Sequence, residues 1–232
     1  MDRSGSAKIK AVILDYGEVL SYPPPADEWN RMASVFHMDP GRFRPLWDRN
    51  RLAYDRGDLS LEAYWARLAD DAGRKLEPEL LEKLSQWDNE MWAHVNPTMV
   101  EWLKQMRSSS IRTGLLSNMP VSMIRYARQR FAWLDEFDHQ TFSAEVGVVK
   151  PDPAIYQHSL DGLGVAASEA LFVDDRAPNI QGARALGLST IQFQSVAQLK
   201  DDLGKLGFPV LPAVDGTAND NVVVAKQQVA KS

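Results

Sequence analysis

Cysteine is absent from the 232-residue chain. That excludes disulfides, thiolate metal centres and a cysteine nucleophile, and it agrees with a reducing, cytoplasmic setting. Apolar runs are all short, none near the length that crosses a bilayer, so no membrane partner is expected. A basic surplus is missing too. Lys and Arg number 26 against 31 Asp and Glu, a formal net charge of −5. No basic stripe stands out, which argues against nucleic acid and against an anionic membrane surface. The opening residues, MDRSGSAKIK, lack the apolar centre of a secretory signal. What is present is ordinary for a globular protein: 44% hydrophobic and 25% charged residues, in a length that suits one large domain or a domain carrying an insertion.

The apolar runs that do occur share a form. Ala11–Leu14 is closed by Asp15-Tyr16-Gly17. Residues 111–116 are closed by Ser117-Asn118-Met119-Pro120, and 170–173 by Asp174-Asp175. Runs this short, apolar on both faces and ended by polar turns, read as buried strands of a parallel sheet. Residues 137–142 and 190–193 read as two more strands. Helical spacing fills the gaps between them after residue 96. This alternation predicts an α/β fold with right-handed crossovers, a doubly wound parallel sheet. Between the first two strands, Pro23-Pro24-Pro25 breaks the chain, and helical spacing recurs at 28–36, 39–51, 60–72 and 78–92. The expected organisation is a core of 8–20 and 96–212, a helical-bundle insert at 21–95, and flexible ends at 1–7 and 213–232. Trp29, Trp47, Trp65, Trp87 and Trp92 read mostly as the insert's own core. Arg49, Arg51, Tyr54 and Arg56 read as a solvated face rather than a substrate-facing one.

In a parallel sheet the carboxyl ends of the strands lie along one edge, where ligands collect. Asp15, Ser117-Asn118, Lys150 and Asp174-Asp175 each follow a predicted strand, so they can converge there. Three carboxylates form a hard oxygen site suited to Mg²⁺. A lysine and a hydroxyl beside them suit a phosphoryl group. Each residue also has a simpler reading. Asp15 before Gly17 can be an Asx-turn residue. Ser117-Asn118 can cap the next helix, and Lys150 can be a solvated loop residue. Asp174-Asp175 resists such a reading, because adjacent acids at a buried strand end repel and need a cation or donors.

The segments AVILDYGEVL, GLLSN, VVKPDPAIY and LFVDDRAPNIQGARALG, in this order, resemble the haloacid dehalogenase superfamily in its phosphatase branch. The resemblance covers residues 10–207. It implies a Rossmann-like core with a cap domain, Mg²⁺ as cofactor and a small phosphorylated metabolite as substrate. It implies Asp15 as the nucleophile that forms an aspartyl-phosphate. Asp175 becomes a metal ligand with Asp174 nearby, and the Gly17 carbonyl a further ligand. Ser117 and the Asn118 amide hold phosphate oxygens, Lys150 neutralises charge, and Asn179 orients the metal loop or Lys150. One position departs from the pattern. Most phosphatases of the family carry a second Asp two residues after the nucleophile, where Gly17 stands here, with Glu18 next to it as a possible substitute. LDYGEVL resembles the subgroup that includes bacterial glucose-1-phosphate phosphatase-like proteins. The missing acid predicts slow or leaving-group-selective turnover, since general acid–base help contributes ~10²–10⁴-fold. It also keeps open a weakly active or non-catalytic binding protein. The dehalogenase branch, which lacks both the second Asp and the paired acids, is the rival enzyme.

Overall fold

The structure, a computed structural model, describes residues 8–208. The expected flexible ends, and Val222-Val223-Val224 within them, lie outside the described residues. The chain begins with β1 (Ala11–Leu14) and a wide turn over Tyr16–Leu20. The insert follows as α1 (Ala26–Val35), α2 (Pro40–Arg49), α3 (Arg51–Asp55), α4 (Leu61–Asp71) and α5 (Pro78–Glu90). Then come α6 (Pro97–Arg107), β2 (Arg112–Ser117), α7 (Val121–Arg130), β3 (His139–Phe142), α8 (Ser143–Val146) and α9 (Pro153–Leu163). β4 (Ala170–Asp174), α10 (Ala177–Ala185), β5 (Ser189–Gln192) and α11 (Val196–Lys205) complete it.

All five strands are parallel, in the order β3-β2-β1-β4-β5. The chain steps outward from β1 to β3, then returns to β4 on β1's other side. Strand order therefore reverses beside β1, and an open α/β sheet binds ligands at such a reversal. Every residue of β1 and β4 is buried. Successive residues point to opposite faces. Val12 and Leu14 pack with α6, α7 and α11 through Leu103, Ile124 and Leu199. Ala11 and Ile13 pack on the other face with Ile155 and Leu160 of α9 and Ile180 of α10. Each fully buried aliphatic side chain of this kind stabilises by about 1.5–3 kcal/mol.

The insert has its own apolar cluster, with Trp29, Met32, Phe43, Trp47, Tyr64, Trp65 and Leu84 buried in it. Trp87 and Trp92 are only partly buried at its margin. The chain enters and leaves through a narrow neck, where Ser21 bridges Val95 and the Tyr22 N–H reaches the His94 carbonyl at 2.6 Å.

Two boundaries differ from expectation. Residues 39–51 form two helices, because Asn50 (φ −110, ψ 6) turns the chain after α2. The third strand starts at His139, since Asp138 spends its carboxylate on the Thr113 N–H at 2.7 Å.

Gly182 sets how close α10 comes to the loop that carries Lys150. A Cβ there would stand 2.9 Å from both the Cβ and the carbonyl oxygen of Pro151, and 3.2 Å from the Tyr156 hydroxyl. Gly182→Ala must displace that loop. We expect a loss of about 1–3 kcal/mol, the range of core overpacking, read by urea unfolding. Turnover should fall with it, and unchanged stability would show that the loop yields freely.

Candidate active site

Asp15 directly follows β1. Its N–H donates to the Val173 carbonyl at 3.0 Å, which sets it level with the end of β4. Its Oδ1 accepts the Tyr16 N–H at 2.7 Å and lies 2.8 Å from Lys150 Nζ. The turn role and the site role are thus filled by one oxygen, and Oδ2 has no protein partner among the described residues. Burial pushes the Asp15 carboxyl up to about 8; Lys150 opposes this, and Asp174 and Asp175 add to it.

Lys150 is buried, not solvated. Its Nζ donates to Asp174 Oδ2 at 2.7 Å and to the Leu116 carbonyl at 2.9 Å. Burial disfavours its charge, but Asp15 and Asp174 outweigh that and raise its pKa. Asn118 fixes its backbone from both sides. The Lys150 N–H donates to Asn118 Oδ1 at 2.8 Å, and Asn118 Nδ2 donates to the Lys150 carbonyl at 3.1 Å. Sequence reasoning missed this clamp, which joins the ends of two segments far apart in the chain.

The two adjacent acids divide their work. Asp174 is wholly buried. Besides Lys150, it accepts Asn179 Nδ2 on both oxygens at 3.0 and 3.1 Å and the Arg176 N–H at 2.8 Å. Asn179 therefore acts on Lys150 only through Asp174. Asp175 is part-exposed and lines the cavity. Burial, then Asp174, then Glu18 push its carboxyl up to about 6. Ser117 is buried at the end of β2, and its hydroxyl has no protein partner among the described residues. Glu18 is exposed, in the left-handed region at φ 56, and it lines the cavity close enough to Asp175 to raise that carboxyl. A Cβ at Gly17 would lie 3.5 Å from the Trp92 ring, in ordinary contact, so that indole borders the space where a side chain would begin.

Carboxylate oxygens of Asp15, Asp174 and Asp175 lie within 4.8 Å of one another. One ammonium serves three acids, which leaves two negative charges in excess once all three are ionised, and the raised carboxyls of Asp15 and Asp175 reflect that crowding. Hard oxygens carrying that excess fit one divalent cation of the Mg²⁺ type.

Above this edge lies a cavity of about 770 Å³. Its floor includes Asp15, Gly17, Glu18, Ser117, Lys150 and Asp175, and its roof comes from the insert through Trp29, Trp47, Arg51 and Asp55. Arg51 corrects the expected solvated face. Its side chain is only 12% exposed, bonded to Asp88 at 2.9 Å and to Asp55 at 2.9 Å, and it lies flat on Trp47. Tyr54 is buried too, its hydroxyl 2.7 Å from Ser122 Oγ. Arg49 and Arg56 do face outward, paired with Asp71 and Asp58. The one sequence signal for the buried pair is the four-residue spacing of Arg51 and Asp55 on one helix.

The chain is similar to several known proteins, to different extents. The chain is 28% identical over 225 residues to acyl-CoA dehydrogenase family member 10 of Mus musculus, covering 92% of this chain but 21% of that protein. It is 28% identical to (S)-2-haloacid dehalogenase 1 of Pseudomonas sp., over 67% of this chain and 63% of that one. A phosphatase of Mycobacterium tuberculosis is 30% identical over 59% of this chain and 64% of its own length. The chain thus spans less than two thirds of each of these relatives. Among solved structures, a HAD family enzyme of Bacteroides thetaiotaomicron in complex with magnesium and inorganic phosphate superposes with a TM-score of 0.64 at 17% identity, covering 80% of this chain and 94% of that one. With residues 9–187 matching the family as a whole, on a parallel sheet that gathers acids and a lysine at its switch point, the chain belongs to the haloacid dehalogenase-like hydrolases.

Proposed function

We propose that this hydrolase is a Mg²⁺-dependent phosphatase of small phosphomonoesters, of the sugar-phosphate type, working through an aspartyl-phosphate on Asp15. The observation that carries this reading is the charge excess of the three acids over Lys150. Asp15, Asp175 and the Gly17 carbonyl would hold the cation, with Asp174 behind them fixing Lys150. When bound, Mg²⁺ neutralises the repulsion between the nucleophile and the phosphate. The chain does the rest. Lys150 and Tyr16 N–H hold one oxygen of Asp15, leaving the other to attack phosphorus. The Ser117 hydroxyl and the Asn118 N–H bind phosphoryl oxygens, and Lys150 stabilises the charge that builds on them. The insert would act as a cap that excludes water and selects the substrate. The magnesium and phosphate in the Bacteroides enzyme and the phosphatase of Mycobacterium tuberculosis support this reading. The DYGEVL motif favours the glucose-1-phosphate phosphatase-like subgroup.

Mg²⁺ should be required, and its removal should be readable twice. EDTA is expected to lower phosphate release from a panel of sugar phosphates and an aryl phosphate at least about tenfold, reversed by Mg²⁺. Independently, adding MgCl₂ to weakly buffered protein at about pH 7 should release protons, because Asp15 is raised to about 8 and a cation must displace its proton. No metal-dependent release and no proton signal would leave a non-catalytic binding protein.

The haloacid reading is carried by the Pseudomonas relative. The same charge excess opposes it, since a 2-haloacid is itself an anion and would meet two uncompensated carboxylates. Chloride release from 2-chloropropionate in EDTA would establish it.

A further inference from the structure

We propose that Asp55, carried by the insert, is the proton donor to the leaving group, in place of the carboxyl that position 17 lacks. The proposal rests on the phosphatase reading.

Three observations place it. First, Asp55 lines the same cavity as Asp15, but it is carried by the insert rather than by the core. In-line displacement puts the leaving oxygen on the far side of phosphorus from the nucleophile. A donor should therefore stand in the roof when the nucleophile stands in the floor. Second, the residue is anchored. Gly57 packs on Ala144, the Tyr54 hydroxyl meets Ser122, and the Ser143 hydroxyl donates to the Asp55 carbonyl. All three contacts tie this segment of the insert to the core, next to the site edge. Third, its side chain is only partly used. Oδ1 accepts Arg51 Nε at 2.9 Å, and no protein donor serves Oδ2 among the described residues.

The surroundings suit a proton donor. Burial, the largest influence, and Asp88 push the Asp55 carboxyl up to about 6, against Arg51 and Arg176. Tyr54 and Tyr64 also face it, and burial keeps both neutral over this range. Glu145 on the adjoining α8 is paired with Arg128 at the surface. The acid form thus persists up to about pH 6, well above the ordinary carboxyl range and closer to the pH at which a general acid is most useful.

The chemistry balances in two steps. Asp15 attacks phosphorus, the ester P–O bond breaks, and the Asp55 proton goes to the leaving oxygen to give the alcohol. Water then attacks the aspartyl-phosphate, Asp55 takes its proton back, and inorganic phosphate leaves with Asp15 restored.

The test compares kcat/KM for phenyl phosphate, a poor leaving group, with 4-nitrophenyl phosphate, a good one, in the full-length protein with Mg²⁺ between about pH 5 and 8. Asp55→Asn should slow the phenyl ester roughly 10²-fold or more and the nitrophenyl ester less than about tenfold. Wild type should lose rate on the phenyl ester as pH rises through about 6, and Asp55→Asn should lose that limb. The ester's own second ionisation also falls near 6, but it is common to both proteins and cancels. Equal slowing of both esters, or a limb that persists in Asp55→Asn, overturns the proposal. So does loss of the limb in Glu18→Gln, which would make Glu18 the donor. Should Asp55→Asn not fold, wild type decides alone: with each rate corrected for its own ester's second ionisation, the nitrophenyl-to-phenyl ratio must grow with pH across 6, and a constant ratio overturns it. Wild type inactive on both esters sinks the phosphatase reading itself, whereas an active wild type with an unchanged ratio sinks only the role of Asp55.

Discussion

Replacing Asp15 by Asn is expected to lower phosphate release by about 10⁴-fold or more while leaving the fold intact, and in metal-free protein to make it more stable. The activity loss follows from chemistry. A carboxamide keeps the shape of the side chain and can still accept the Tyr16 N–H, but it has no anionic oxygen to attack phosphorus. Losses of this size are typical when a nucleophile is removed and binding is kept. The stability gain follows from charge. The folded carboxyl sits at about 8 against an ordinary value of 3.8. The folded state therefore holds the proton more tightly than the unfolded state does. Below about pH 4 both states are protonated and Asp15 contributes nothing. Between about pH 4 and 8 the unfolded chain gives up this proton while the fold keeps it, so stability falls across that window and the loss is complete once the buried acid ionises at about 8. Asp15→Asn removes that slope. Urea unfolding in EDTA should give equal midpoints for both proteins at about pH 4 and a higher one for the variant at about pH 8. An unchanged difference across pH would mean that Lys150 already balances Asp15 completely. A variant that kept its activity would remove Asp15 from the chemistry altogether.

Much of this site was legible in the sequence because its residues follow strands, and strands announce themselves as short apolar runs. Asp15, Ser117 and Asp174-Asp175 stand at strand ends as that rule expects, whereas Lys150 lies beyond α8 and its loop carries it back to the same edge. What the rule cannot show is division of labour. Asp174 and Asp175 are neighbours of one type, yet one is saturated by Lys150, Asn179 and the Arg176 N–H while the other faces the cavity. That difference arises at the strand end: Asp174 is the last residue of β4, and Asp175 lies in the bend that follows it. The insert was legible as helices and not as a wall of the site. Periodicity over 39–51 hid the turn at Asn50, and Arg51 looked like one more surface cation. Its burial depends on Asp88, 37 residues later on α5, and no local pattern records that meeting. Gly17 was legible as a missing acid, but the indole of Trp92 beside it was not.

Lys150→Met should be the most damaging change in the core, and its two effects should separate. The ammonium sits between Asp15 at 2.8 Å and Asp174 at 2.7 Å, with 1% of the side chain exposed. Methionine fills a similar volume, so the packing loss is small. The electrostatic loss is not. Removing one partner of a buried ion pair costs about 3–5 kcal/mol, because the charge left behind is uncompensated. The loss must depend on pH in a definite direction. Without the ammonium, Asp15 holds its proton still more tightly in the folded state than in the unfolded chain, because the opposing charge of Lys150 is gone. The penalty is therefore full well above neutrality and disappears as pH falls towards about 4, where both states are protonated. Adding Asp174→Asn removes one of the stranded charges, so the double variant should regain part of the stability. Activity should not return. Lys150 also stabilises charge on the transferring phosphoryl group, and loss of such a donor costs about 10²–10³-fold, which a neutral residue at 174 cannot replace. Urea midpoints of the three proteins in EDTA at about pH 5 and 8, with phosphate release beside them, decide the matter. Equal stability of wild type and Lys150→Met at the higher pH would mean that the buried pairs hold nothing together, and recovery of activity in the double variant would mean that Lys150 serves only to neutralise Asp174.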